Sequence, residues 1–263
     1  MSVLIAIELT GEKPSNASLE LLALARTLAN GNPVVALSLG ADVGLTETLI
    51  ARGADKVVLG ARETFTDINS DVWATCATDA ARKHGATLVL APHTPFGADI
   101  APRLAFRLNA ACATGCVSID RQDGALLCTR AAHGGNVREV LRMKARVTVA
   151  TLRAGVYDAL PADTTRKGEG IILTEPPPSR IRVLERKRDA AEGVRLEDAK
   201  VIVAGGRGLG GAEGFKVLEP LAHALGGVVG ASGRTGAVSM RYFPSSRAFC
   251  TTSRIMLMAV RLA

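Results

Sequence analysis

Four short apolar runs, VLIAIEL (3–9), VVALSLG (34–40), KVVLGA (56–61) and TLVLAPH (87–93), alternate with stretches whose apolar residues recur at helical spacing. No other feature restricts the fold of this chain as tightly. Runs without polar alternation are strands buried on both faces, and such strands need helices above and below them. A strand–helix rhythm of this kind predicts a doubly wound parallel sheet in the α/β class.

The helices between the runs carry their own punctuation. Ser15 or Asn16 is placed to cap a helix through Leu19, Leu22, Ala23, Arg26 and Thr27 that stops at NGNP. ETLIARGA and NSDVWATCATDAARKHGA supply the next two, the latter closed by Gly85. TPFGADIAPRLAFRLNAACATGCVSID gives a turn, a helix whose carboxyl end is expected at Gly115, and a return strand. Its loop begins past the end of the TLVLAPH strand, where open α/β sheets present their ligands. From LLCTRAAHGGNVREVLRMKARVTVATLR onward the pattern changes to hairpin-like strands, with HGGN as the turn.

Residues 158–200 break the alternation with polar, proline-bearing and charge-rich sequence, which predicts a linker or an edge excursion. EPPPSRIRVLE is expected to donate an edge strand. These boundaries give an N-terminal α/β domain over 1–187, a linker over 188–195 and a second unit over 196–263.

Composition narrows the function classes. With 48% apolar residues but only 3% aromatics, the chain has the makings of helices packed on β-branched strands. The formal charge of +7 does not form a basic stripe. No acid follows Glu219, while isolated arginines stand at 234, 241, 247, 254 and 261, so nucleic-acid binding is disfavoured. MSVLIAIELTGEK fails as a signal peptide because it lacks a basic stretch before the apolar run and meets Glu8 at once. Five cysteines without paired metal spacing suit reduced thiols in a bacterial cytoplasm. No nucleophile, base and orienting group stand out as a set. His84, near a helix end, reads as a dipole partner, His93 at a strand end is the histidine worth testing, and Arg103 suits a helix surface as well as a functional role.

One stretch has the look of a cofactor turn. KVIVAGG is a strand, RGLGGAEG a turn, FKVLEPLAHAL a helix and GVVGAS the next strand. Glycines let a backbone come close to a ligand, and the following helix aims unpaired N–H groups at an anion. Gly206, Gly208 and Gly211 meet the loose G-x-G-x-x-G spacing. A nicotinamide dinucleotide site would also need a carboxylate at the end of the second strand, but that strand ends in Ser232 and no carboxylate follows. Arg207 then has two readings: a fixed positive charge where a phosphate or an electron-rich ring sits, or a turn residue facing water.

The stretch VIVAGGRGLGGAEGFKVLEPLAHALGGVVGAS closely resembles the opening of the flavin-binding domain of the electron transfer flavoprotein α subunit family. That family shows V-V-x-G-G-R-G-L, then F-K-x-L-x-x-L-A, then G-A-S-R, and Arg207 and Ser232 keep the family's separation without a gap. APHTPFGADIAPRLAFRL is similar to its T-x-x-G-x-x-x-x-P-R-x-A segment, and CTRAAHGGNV to its T-R-P-x-Y-x-G-N turn. The resemblance implies nucleotide-hydrolase or flavodoxin-like layers in the first domain and a Rossmann-like FAD-binding second domain. It implies a non-catalytic electron carrier, one FAD, and a heterodimer with a beta subunit. Electrons would come from acyl-CoA-type dehydrogenases in fatty acid oxidation and leave to a quinone oxidoreductase. Residue by residue, Arg207 would lie against the flavin, Gly206 and Gly208 would form the approach, and Ser232 would hydrogen-bond the cofactor. A cation there favours the anionic reduced forms of the ring.

Beyond Ser232 the likeness fades. Gly233 stands where the family has its second flavin arginine and Arg234 follows, so that role is carried to Arg234 across a one-residue offset. Aligning Pro244 with the family's proline leaves only Thr252 in common with its Q-V-G-Q-T-G loop. The chain stops at Ala263, before an S-G-A-x-Q-H loop begins. The expectation is therefore an incomplete flavin domain whose tail, 233–263, is degenerate or frameshifted. A second expectation from another class is a docking module that binds the beta subunit but no flavin.

Overall fold

A computed structural model of the chain describes residues 2–185, 199, 201–232, 242–243 and 255–258. The chain divides into two compact units, residues 1–132 with 138–186, and residues 133–137 with 187–263.

The first unit is built on a central strand, β1 (Ser2–Ala6), every residue of which is buried. A two-residue ribbon follows, β2 (Leu9–Thr10) against β3 (Lys13–Pro14). Then come α1 (Asn16–Ala29), β4 (Val34–Ala41), α2 (Leu45–Ala51), β5 (Lys56–Ala61), α3 (Ser70–Lys83), β6 (Ala86–Pro92) and α4 (Pro95–Leu108). The strands β7 (Ala111–Gln122), β8 (Ala125–Ala132), β9 (Val137–Met143), β10 (Thr148–Leu152) and β11 (Glu169–Leu173) complete it. Nine of these strands form one sheet in the order β11-β5-β4-β1-β6-β10-β7-β8-β9. From β11 to β7 the pairings are parallel, and β8 returns antiparallel to β7.

Successive residues of β1 point to opposite faces, and each face has its own core. Val3 and Ile5 pack with Leu21, Leu22 and Leu28 of α1 and Leu49 of α2. Leu4 and Ala6 pack with Trp73 and Ala77 of α3 and Ile100 and Leu104 of α4. Two helices on each side leave no polar face on the strands, which is why the runs carry almost none.

The helix starts follow local chemistry. The Ser15 hydroxyl accepts the Ser18 N–H at 3.2 Å to cap α1, and Asn69 accepts from both Asp71 and Val72 to cap α3. Thr94 caps α4, with Pro95 in the first turn where its missing N–H costs nothing.

Two sequence expectations are corrected. The helix after TPFG ends at Leu108, capped by Asn109 in the left-handed region (φ 50°), and Gly115 lies inside β7 with φ +70°. Asn109 can take the cap conformation that glycine was expected to provide. The edge strand is β11, upstream of the prolines, and residues 174–185 form no strand. Pro176, Pro177 and Pro178 have no N–H for a ladder, whereas Ile171 and Ile172 have both N–H groups and β-branched side chains. The segment after them is tied down by side chains instead: Asn69 Nδ2 donates to the Ile181 carbonyl at 2.9 Å, and the Val183 N–H to Asp67 at 3.1 Å.

The second unit opens with β12 (Ile202–Gly205), a 3-10 turn over Arg207–Leu209, α5 (Ala212–Phe215), a second 3-10 turn over Lys216–Leu218, α6 (Glu219–Ala224) and β13 (Val228–Ser232). Two more strands, β14 (Tyr242–Phe243) and β15 (Ile255–Met258), give a sheet in the order β14-β13-β12-β15. Strands β12, β13 and β14 run parallel and β15 antiparallel to β12. The helical segment begins at Ala212, earlier than the expected Phe215, and changes to 3-10 form just before Pro220, which has no N–H to continue an α-helical ladder. Val203, Phe215, Leu218, Ala222 and Ala231 make its small core.

Candidate functional site

The carboxyl ends of β12 and β13 define the site. Gly205 and Ala231 are opposite one another in parallel register, so Gly206 and Ser232 stand at the same edge of the sheet. Arg207 opens the 3-10 turn just beyond, closed by the Leu209 N–H on the Gly206 carbonyl at 3.1 Å. The turn therefore brings Gly206, Arg207 and Gly208 to the edge where β13 delivers Ser232. Arg234 and Thr252 lie outside the described residues.

The turn has an inner and an outer side. Inside, Gly205 meets the core so closely that a Cβ there would collide with the Leu209 side chain and stand 2.9 Å from Leu218 Cδ1 and 3.0 Å from Phe215 Cε1. On the outside, Gly210 (φ +78°) and Gly211 have nothing within 4 Å of a would-be Cβ. Among the described residues, the main chain at Gly210 and Gly211 is thus exposed past the strand ends, which fits a flat, phosphate-bearing group lying across the edge. Lys216 forms an exposed pair with Glu213 at 2.9 Å and adds little.

The other singled-out residues separate clearly. Arg103 Nε donates to Asp99 at 3.1 Å within α4, and Asp99 also accepts from Ser70 of α3, so Arg103 belongs to a helix–helix seam. His84 is the carboxyl cap residue of α3. His93 is half-buried just past β6, its Nδ1 2.9 Å from the Thr151 hydroxyl, which also accepts the Gly115 N–H at 2.9 Å. Nothing in the sequence signals that Thr151 and Arg153, in and just past β10, meet Gly115 of β7 and His93 past β6, because only the sheet order brings these three strands together. Among the described residues, no group of histidine, cysteine or acidic side chains is arranged to hold a metal. No helix among them is long and apolar enough to cross a membrane.

Comparison with known proteins agrees with this geometry. Residues 3–178 match the electron transfer flavoprotein domain, and residues 195–260 match the electron transfer flavoprotein FAD-binding domain. The second match continues past Ser232, where the sequence reading has the likeness fade. The electron transfer flavoprotein subunit alpha of Thermoanaerobacterium thermosaccharolyticum is 35% identical over 231 residues, covering 85% of this chain and 70% of that protein. The protein of the same name from Bacillus subtilis is 30% identical over 235 residues, covering 88% and 71%. Protein FixB of Clostridium saccharobutylicum is 35% identical over 222 residues, covering 82% and 66%.

An α/β chain with this turn and these two matches is an electron carrier of the flavoprotein type rather than an enzyme. It belongs to the electron transfer flavoprotein family and is of the alpha-subunit kind. The cofactor of its second domain is FAD.

Proposed function

We propose that the chain is the FAD-holding subunit of a heterodimer with a beta subunit, accepting electrons from acyl-CoA-type dehydrogenases of fatty acid oxidation and passing them to a quinone oxidoreductase in the bacterial cytoplasm. Residues 1–187 dock the partner, 188–195 link the domains, and 196–263 hold the cofactor. The observation that carries this reading is the Gly205–Ala231 register, which delivers the arginine turn and Ser232 to one strand edge. Bound FAD supplies reversible electron acceptance. Arg207 sets a planar cation beside the ring, Gly206 and Gly208 let the main chain approach, and Ser232 hydrogen-bonds the cofactor. Arg234 and Thr252 are the further residues proposed to contact the cofactor.

The test is flavin content after co-expression with a beta-type partner. A yellow complex with near-stoichiometric flavin is expected; a stable complex without a flavin absorption band overturns the cofactor role. A second reading, a docking module without flavin, draws on one observation: β15 runs antiparallel to β12, with Ile255 opposite Gly205. In a doubly wound dinucleotide fold, that neighbour runs parallel and opens a crevice at the switch point.

A further inference from the structure

We propose that the first unit carries a second ligand site, an oxyanion site at the carboxyl edge of the nine-stranded sheet built on the Nε2–H of His93 and the guanidinium of Arg153. The proposal is independent of the flavin reading and concerns different residues.

Sheet order gives the location. From β1 the chain winds outward through β4 and β5, then returns to place β6 on the other side of β1. Winding thus reverses between β1 and β6, and ligands of open α/β sheets bind outside the carboxyl ends of strands at such a reversal. His93 is the first residue beyond β6, and Arg153 the first beyond the adjacent β10.

The hydrogen bonds accommodate an imidazole proton on Nε2, the tautomer the site uses. Gly115, with φ +70°, sits where the β10–β7 register shifts between Ala150 and Leu152, which frees its N–H from the ladder. That N–H donates to Thr151 Oγ1 at 2.9 Å. Thr151 is fully buried and its hydroxyl lies 2.9 Å from His93 Nδ1, and the site takes the arrangement in which that hydroxyl donates to the ring. A neutral imidazole that accepts at Nδ1 carries its proton on Nε2. Burial, then the charge of Arg153, push the His93 pKa below the ordinary histidine value, so the ring is a neutral donor at neutral pH. Gly115 leaves room beside that donor: a Cβ there would stand 3.3 Å from Nε2 and 3.4 Å from Cε1.

Arg153 supplies the charge. It forms no salt bridge among the described residues, and its Nε is buried without a hydrogen-bond partner. A half-buried guanidinium that pairs with no carboxylate among the described residues, beside an N–H donor, is complementary to a carboxylate or phosphate group.

The experiment follows the His93 ring signals by NMR in the full chain while inorganic phosphate or acetate is added, with His93→Gln used to assign them. Saturable movement is expected with at least one anion at a dissociation constant of about 1–10 mM. Arg153→Met should weaken it about tenfold, and Thr151→Val, which releases the tautomer, about threefold. Saturation by phosphate alone assigns a phosphate-class ligand, and saturation by both a carboxylate-class one. Movement that stays linear with both anions, or a midpoint unchanged in Arg153→Met, overturns the site.

Discussion

Gly205 and Ala231 pair in the parallel ladder of β12 and β13, and the next residue of each strand reaches the edge together. Everything proposed for the glycine–arginine turn depends on this pairing, because it converts a separation in sequence into one place in space. Slipping the register by one residue would turn the side chains of β13 to the opposite face and withdraw Ser232 from Gly206.

Arg207→Ala should therefore cut flavin affinity about tenfold, the loss expected for one charge-assisted hydrogen bond. Flavin retained after dialysis of the complex, followed by its absorption band, is the readout. Full retention together with an unchanged reduction potential would remove Arg207 from the site.

Asp55 organises the far edge of the first unit. Its carboxylate accepts from the Val34 N–H at 2.8 Å and pairs with Arg26 at 2.5 Å and Arg166 at 3.2 Å. Arg166 stands just before β11, so this contact helps bring that strand alongside β5. Asp55→Ala should destabilise by about 2 kcal/mol, since the groups are part-exposed and screening trims each ion pair. Asp55→Asn, which keeps an oxygen for Val34, should cost about half as much in urea denaturation.

Gly97 lies in the first turn of α4, and a Cβ there would overlap the Pro92 carbonyl oxygen. Gly97→Ala must push α4 off the strand end that positions His93, at a cost of about 3 kcal/mol. A thermal midpoint within 2 °C or so of the parent would contradict this close approach.

Asp71 reports on pH. A hydrogen bond from Arg107, at 2.5 Å, holds its carboxyl below the usual aspartate range against the opposing effect of burial. A folded pKa below the unfolded value stabilises at pH above about 3.9 and loses that contribution as pH falls through the folded value. Asp71→Asn should thus be less stable than the parent by a constant amount from pH 5 to 7, with the gap closing below about pH 4. Denaturant midpoints across that range check it, and a gap that widens in acid would refute it.

The layers were legible because burial writes itself into composition. Strands β1, β4, β5 and β6 are covered on both faces, so their sequences are nearly continuous apolar runs. The arginine turn was legible for another reason: its glycines are demanded locally, by the crowding at Gly205 and the positive φ of Gly210. Boundaries set by competition were misread. Asn109 took the cap conformation expected of Gly115, and β11 won the sheet edge from the proline-rich segment after it.

By itself, the sequence determined the class of fold, the cap of α1 and the glycine–arginine turn, since each follows from the chemistry of neighbours along the chain. Tertiary structure alone decided that β10 inserts between β6 and β7, and so that His93, Thr151, Gly115 and Arg153 meet. Strand order is settled by which pairings bury the most surface across the whole sheet, and no local pattern of residues encodes that comparison.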